Sequence, residues 1–322
     1  MSTSERYRRF AQVEALGRSP AYERLGLGIA GDPEVLALVE RLPEPKRQPN
    51  LVLGVARHLG APTGSYRSFR GWILDHWAAV ERTARVRSTQ TNEAGRAAVL
   101  LPVLAMLHGP LTLVEVGASA GLCLYPDRFS YRYAGRPDLD PVDGPSPVLL
   151  TCTTTGTPPL PTALPTVVHR VGIDLAPLDV DSDDDLAWLD SLVWPEHHER
   201  RERLRAAAAI ARRDRPQLVH GDLTAALPDV VRQAPPDTTV VVFHSAVLNY
   251  VDDAARAAFE QTVRELPCHW ISNEGPRVLP GITGRLPIPS EQVGGRFVVA
   301  LDGQPLALAG AHGQSLDWLG RP

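Results

Sequence analysis

Lysine is almost missing from this 322-residue chain: of its 33 basic residues, only Lys46 is not an arginine. The arginine, alanine and 30 prolines that accompany this scarcity follow from a GC-rich coding sequence, so arginine clusters are not read as functional signals. Cysteine is scarce too. Three residues (Cys123, Cys152, Cys268), odd in number and without paired spacing, argue against a disulfide framework or a structural zinc site. No apolar run approaches the ~20 residues of a membrane span; the longest lies at 97–107. Neither charge sign dominates: 33 basic against 37 acidic residues give −4, which leaves no basic field to attract nucleic acid. The opening MSTSERYRRFAQV has no apolar stretch of the signal-peptide kind, so a cytoplasmic location is expected. What is present, 43% hydrophobic and 22% charged residues, suits a globular chain of about two domains.

Two grammars divide the chain. Residues 1–109 read as a helical domain. Ser19-Pro20 and Asp32-Pro33 are cap-then-proline starts, and Phe69, Trp72, Ile73, Trp77, Val80 and Ala84 recur at helical spacing. From residue 110 to 322, short apolar runs alternate with helical stretches: 111–116, 166–173, 217–221, 238–245 and 268–274. These runs are apolar almost throughout, which fits parallel strands buried on both faces. The pair 296–301 and 305–310, joined by Asp302-Gly303, predicts a closing antiparallel hairpin. The fold expected is therefore α/β: a Rossmann-like, mostly parallel sheet with a C-terminal antiparallel hairpin, preceded by an all-helical domain. Segments of about 125–166 and 183–213 exceed what single connections need and read as insertions. The first of them, with Phe129, Tyr131, Tyr133 and 148–153, reads as an inserted hairpin.

The most informative segment is Glu115-Val116-Gly117-Ala118-Ser119-Ala120-Gly121, where the first apolar strand meets a small-residue turn. In open α/β sheets ligands bind at the carboxyl ends of strands, where backbone comes close and a following helix offers free N–H groups. The string resembles the first motif of class I S-adenosylmethionine (SAM) dependent methyltransferases, with Ser119 where a middle glycine is usual. It also spells G-x-S-x-G, the nucleophile elbow of α/β-hydrolases, for which His312 is suitably late in the chain. The helical stretch upstream and the acids downstream favour the methyltransferase-like fold. Asp174 ends the next strand, Asp222 the one after, and the strand at 238–245 leads into Ser245-x-Val247-Leu248 and a pair of acids.

Across nearly its whole length the chain also resembles a bacterial family of unknown function, DUF2332. The resemblance rests on Gln90-Thr91-Asn92-Glu93 with Arg96, on Glu115, Gly117 and Ser119–Leu122, and on Asp127 with Tyr131 and Tyr133. It continues through Arg170, Gly172, Asp174 and Pro177 to Trp194-Pro195, His244-Ser245 and His312-Gly313. It implies a methyltransferase-like fold and no particular reaction.

The expected function is SAM-dependent methyl transfer to a small molecule, with no nucleic acid, membrane or metal partner; oligomeric state stays open. By resemblance, Glu115, Gly117, Ser119, Gly121, Asp174 and Asp222 surround the cofactor. His244, Glu274 and His312 are the candidates for proton handling, since a nucleophilic acceptor must lose its proton. Asn92, Glu93 and Arg96, with Asn249 and Tyr250, are the candidate substrate contacts; alternatively, Thr91 or Asn92 merely caps the helix that follows. Asp222 before a helix is equally an ordinary N-cap. His197 and His198 are adjacent, so on a helix they diverge by about 100° and do not form a joint metal site. The rival readings are a serine hydrolase built on Ser119 and a binding or scaffold protein with a degenerate fold.

Overall fold

A computed structural model describes residues 1–90 and 92–320. Helices α1 (Thr3–Arg9), α2 (Pro20–Ala30), α3 (Pro33–Val39), α4 (Pro49–His58) and α5 (Tyr66–Val86) come first, and α6 (Ala97–Leu104) precedes strand β1 (Leu111–Val116). Next come β2 (Ser130–Tyr133), β3 (Leu149–Thr155), β4 (Val167–Asp174), α7 (Asp183–Leu192), α8 (His198–Arg213), β5 (Gln217–His220) and α9 (Leu223–Arg232). The chain closes with β6 (Thr239–Ser245), α10 (Asp253–Glu265), β7 (His269–Glu274), β8 (Phe297–Leu301), β9 (Gln304–Ala309) and β10 (Ser315–Trp318). Thr91, an alternative cap in the sequence reading, lies outside the described residues.

The chain forms two compact units, residues 1–91 with 181–202, and residues 92–180 with 203–322. The stretch 92–109, read from sequence with the N-terminal helices, thus falls in the second unit. The stretch 183–202, read as an insertion in the sheet, falls in the first. Contacts over long sequence distance decide this. Arg87 pairs with both Asp184 and Asp185 on α7, Trp194 donates to Asn50 Oδ1 at 3.0 Å, and a Cβ on Gly54 of α4 would come 2.9 Å from Leu192.

Helix starts in the first unit follow the caps visible in sequence. Ser19 Oγ accepts from Tyr22 N, and Asp32 from Glu34 N and Val35 N, each ahead of a proline in the first turn. On α5, Phe69, Ile73, Trp77, Val80 and Ala84 are buried at the expected period.

The second unit is a mixed α/β domain around one ten-stranded sheet, ordered β2-β3-β10-β9-β8-β7-β6-β1-β4-β5. Strands β5, β4, β1, β6 and β7 pair in parallel. Numbered among themselves in chain order they run 3-2-1-4-5, the order of doubly wound α/β sheets, which reverses between β1 and β6. Strand β8 lies antiparallel to β7 and forms the expected hairpin with β9, where Asp302 (φ 50°) and Gly303 (φ 79°) make a two-residue turn. The face carrying Val114, Val116, Val171, Ile173, Val242 and Trp270 buries its side chains with Leu227, Phe259 and Val263 of α9 and α10.

One expectation is corrected here and one strand is new. Strands β2 and β3 do not form a hairpin: they pair in parallel, and β3 joins β10 at the far end of the sheet. The fifteen residues 134–148 give the chain room to return and run in the same direction, which a tight turn forbids. Strand β10 was not foreseen, because Ser315–Trp318 is four residues long, carries Asp317, and is a strand only through its partners β9 and β3. Among the described residues, no helix is long and apolar enough to cross a membrane.

Candidate functional site

Strand β1 ends at the point where the strand order reverses, and the turn after it is built mainly by side chains from elsewhere. Gly117 (φ 72°) and Ala118 donate to Ile173 O at 2.8 and 3.1 Å, fastening the turn to β4. Asn92 bridges it, donating from Nδ2 to Ala118 O (2.9 Å) and accepting from Leu122 N (2.8 Å). Asp174, at the end of β4, accepts from Ser119 N through Oδ2 and from Ala176 N through Oδ1, both at 2.8 Å. Ser119 itself is left-handed at φ 52°, a conformation that costs a non-glycine residue about 1–2 kcal/mol.

No helix follows this turn. Residues 117–129 run as successive turns to β2, so the N-terminal array of free N–H groups expected beside Gly121 is not formed. Pro126 comes too early for a helix, and the segment is instead held by Arg170 of β4. That buried guanidinium donates to Leu124 O (2.6 Å), bonds Asp127 through two nitrogens (2.9 and 2.7 Å), reaches Asp214 (3.3 Å) and lies over the Tyr125 ring. Sequence reasoning gave Arg170 and Asp127 no role. The usable signal was an arginine inside the β4 strand, flanked by Val167, Val168, Val171 and Ile173, which demands a buried partner.

Glu115 is the chemically distinctive residue. Register aligns it with Gly172 on one side and Phe243 on the other, so it sits on the sheet face opposite Val114 and Val116. It is 4% exposed, and its Oε2 has no hydrogen-bond partner. Burial pushes its carboxyl up to about 8, with Asp174 adding to the rise; Cys123 and the Arg96 guanidinium pull it back. Arg96 is buried, donating to Ser245 O at 2.8 Å and to Ala311 O at 3.1 Å. Glu93, also buried, caps the turn 94–96 through Gly95 N and accepts from Arg203 Nε at 2.9 Å. The same face carries Asn273, which donates to Ser245 Oγ at 2.8 Å and leaves its Oδ1 without a partner.

His244 and Glu274 come together, but on the other face. His244 follows Phe243, so the strand's period of two turns it away from Glu115. It has no exposed surface. The indole N–H of Trp270 donates to His244 Nε2 at 3.0 Å; since indole is only a donor, Nδ1 carries the proton and donates to Glu274 Oε1 at 2.7 Å. Both ring nitrogens of His244 are thus engaged by neighbouring side chains. Glu274 Oε1 also accepts from Val247 N (2.9 Å) and Leu248 N (3.1 Å), which fixes the loop after β6.

The remaining candidates disperse. Asp222 is exposed and caps α9 through Thr224 N and Ala225 N, as the plain reading of Gly-Asp before a helix has it. Asn249 and Tyr250 lie exposed on a single turn at 248–250. His312 is half-buried in the β9–β10 loop, whose backbone packs on Gly95: a Cβ there would come 2.6 Å from His312 O. Among the described residues Ser119 Oγ is buried without a hydrogen-bond partner, so no nucleophile–base pair of the hydrolase kind is formed. No group of three or more His, Cys, Asp or Glu residues among those described is arranged to hold a metal ion.

Replacing Ser119 by glycine removes the left-handed strain while adding unfolded-chain entropy, so stability should change by less than about 1 kcal/mol. Urea unfolding of Ser119→Gly checks this. A loss well above that figure would mean that the hydroxyl itself holds the turn.

The second unit is a mixed α/β domain with a mostly parallel sheet and a buried carboxyl where the strand order reverses. Residues 4–318 match the model of the family described as "Uncharacterized protein conserved in bacteria (DUF2332)", and the chain belongs to that family. No curated protein and no solved structure matches it.

Proposed function

We propose that the second unit is a SAM-dependent methyltransferase acting on a small molecule, with the cofactor at the carboxyl ends of β1 and β4. The observation that carries this reading is Glu115: a buried carboxyl with an unpartnered oxygen, beside a glycine turn, where the strand order reverses. The residues fit a cationic ligand. A carboxylate desolvated to this degree gains most from a positive partner, because the surrounding dielectric is low.

Glu115 and the Gly117 turn would hold the methionine portion, and Asp174, half-buried at the next strand end, the ribose. Asp174 carries two backbone bonds already, and a carboxylate has lone pairs for more. Bound SAM supplies an electrophilic methyl group on a positively charged sulfur. The chain's part is to position and to exclude water: Asn92 and Asp174 fix the turn, Arg96 ties the Ser245 and Ala311 carbonyls together, and Glu115 matches the cation. On this face Glu115 Oε2 is the atom poised to exchange a proton near neutral pH.

Calorimetric titration with SAM and with S-adenosylhomocysteine tests the reading. Saturable one-to-one binding, weakened about tenfold or more by Asp174→Asn, is the expected result. Folded protein that binds neither ligand would overturn it and favour the scaffold reading.

A further inference from the structure

The side of Gly117 that lacks a Cβ is not open. A methyl group there would overlap the side chain of Val247, which projects from the loop after β6 onto the turn after β1. Both facing segments contain a non-glycine residue in the left-handed region, Ser119 (φ 52°) and Ala246 (φ 56°). Strain of this kind persists only where surrounding contacts enforce it, and it clusters at functional sites. The contacts that enforce it at the β6 loop come from two charged side chains. Glu274 takes the N–H groups of Val247 and Leu248 on one oxygen. Arg256 donates to the carbonyls of Leu248 (3.2 Å) and Val251 (2.9 Å). Ala246 N completes the loop's attachment through Asn273 O at 3.1 Å.

We propose that Val247 is the residue that determines which ligands reach the β1 turn, and that Glu274, itself on the opposite sheet face, is the positioning residue that holds it there. The inference rests on the reading of the β1 turn as the ligand site. Val247 excludes any group that would lie flat against the Gly117 backbone while the loop is clamped. A ligand of adenosyl-amino-acid size gains the turn only when the loop yields, so a smaller side chain at 247 widens the range of ligands accepted. The buried Glu274 Oε2, which has no partner, leaves the clamp resting on Oε1 alone.

The test compares Val247→Ala and Glu274→Gln with wild-type protein, by amide hydrogen exchange over residues 117–122 without ligand and by SAM titration. Val247→Ala should speed exchange at these amides about tenfold, with amides of β8 and β9 unchanged, and should raise SAM affinity. Glu274→Gln keeps an acceptor but loses the charge, and should shift the same amides in the same direction by less. Unchanged exchange over 117–122 in folded Val247→Ala overturns the inference whatever the titration shows. A uniform rise across all amides also overturns it, since it marks global destabilisation. Faster local exchange without SAM binding supports the clamp and sinks the cofactor reading instead.

Discussion

Glu115→Gln should raise stability, and should do so much more at pH 8 than at pH 5. The Glu115 carboxyl is pushed up to about 8 in the folded protein from an ordinary 4.5, chiefly by burial. An acid whose folded value is raised is held protonated by the fold, so stability falls as pH climbs through the window between those two values. Three to four pH units of displacement correspond to roughly 3–5 kcal/mol lost by the alkaline end. Glutamine keeps the shape and cannot ionise, so it removes this slope. Urea unfolding of both proteins at the two pH values is the check. Parallel pH profiles would contradict the burial of a carboxyl with one unpartnered oxygen. A residue that destabilises the fold at the switch point of the sheet is what a trade of stability for binding looks like.

Arg170→Met should lower stability by about 3–5 kcal/mol, the usual consequence of stripping one partner from a buried ion pair. The side chains of Arg170 and Asp127 are only 6% and 12% exposed and share two hydrogen bonds, so Asp127 would keep a largely buried charge with only the half-exposed Arg128 guanidinium, 3.4 Å away, to meet it. Asp214 is half exposed and contributes little to the loss. The pair Arg170→Met and Asp127→Leu should recover much of it, and the double-mutant cycle should give a coupling above about 1 kcal/mol. Residues 117–129 have no helix of their own to stiffen them, so the single variant should also weaken any ligand held at Gly117. A loss below about 1 kcal/mol would mean that the network only decorates the turn.

The parallel half of the sheet was legible because β1, β4, β6 and β7 each carry a short stretch of consecutive apolar residues, and the β8–β9 hairpin because Asp302-Gly303 suits a turn needing positive φ twice. Asp222 was legible as a cap for the same local reason. What escaped depends on pairing over distance. Nothing in Ser315–Trp318 marks a strand until β9 and β3 flank it, and nothing in 183–192 shows that Arg87 waits for its aspartates. The separation of Glu115 from His244 is a matter of register: both end parallel strands, and only the alignment of Glu115 with Phe243 puts the histidine on the other face. The helix expected after Gly121 failed because Asn92, Asp174 and Arg170 bind the turn's polar groups instead.

A cationic ligand facing Glu115 would couple SAM affinity to the protonation of that carboxyl. Below about pH 8 the free carboxyl is largely protonated, and binding a cation favours the ionised form, so binding should release a proton. Affinity of the wild-type protein should therefore climb by up to about tenfold per pH unit between about pH 6 and 7.5, while Glu115→Gln binds weakly with a flat profile. Equal profiles for the two proteins, or no binding to either while both are folded, would contradict the account.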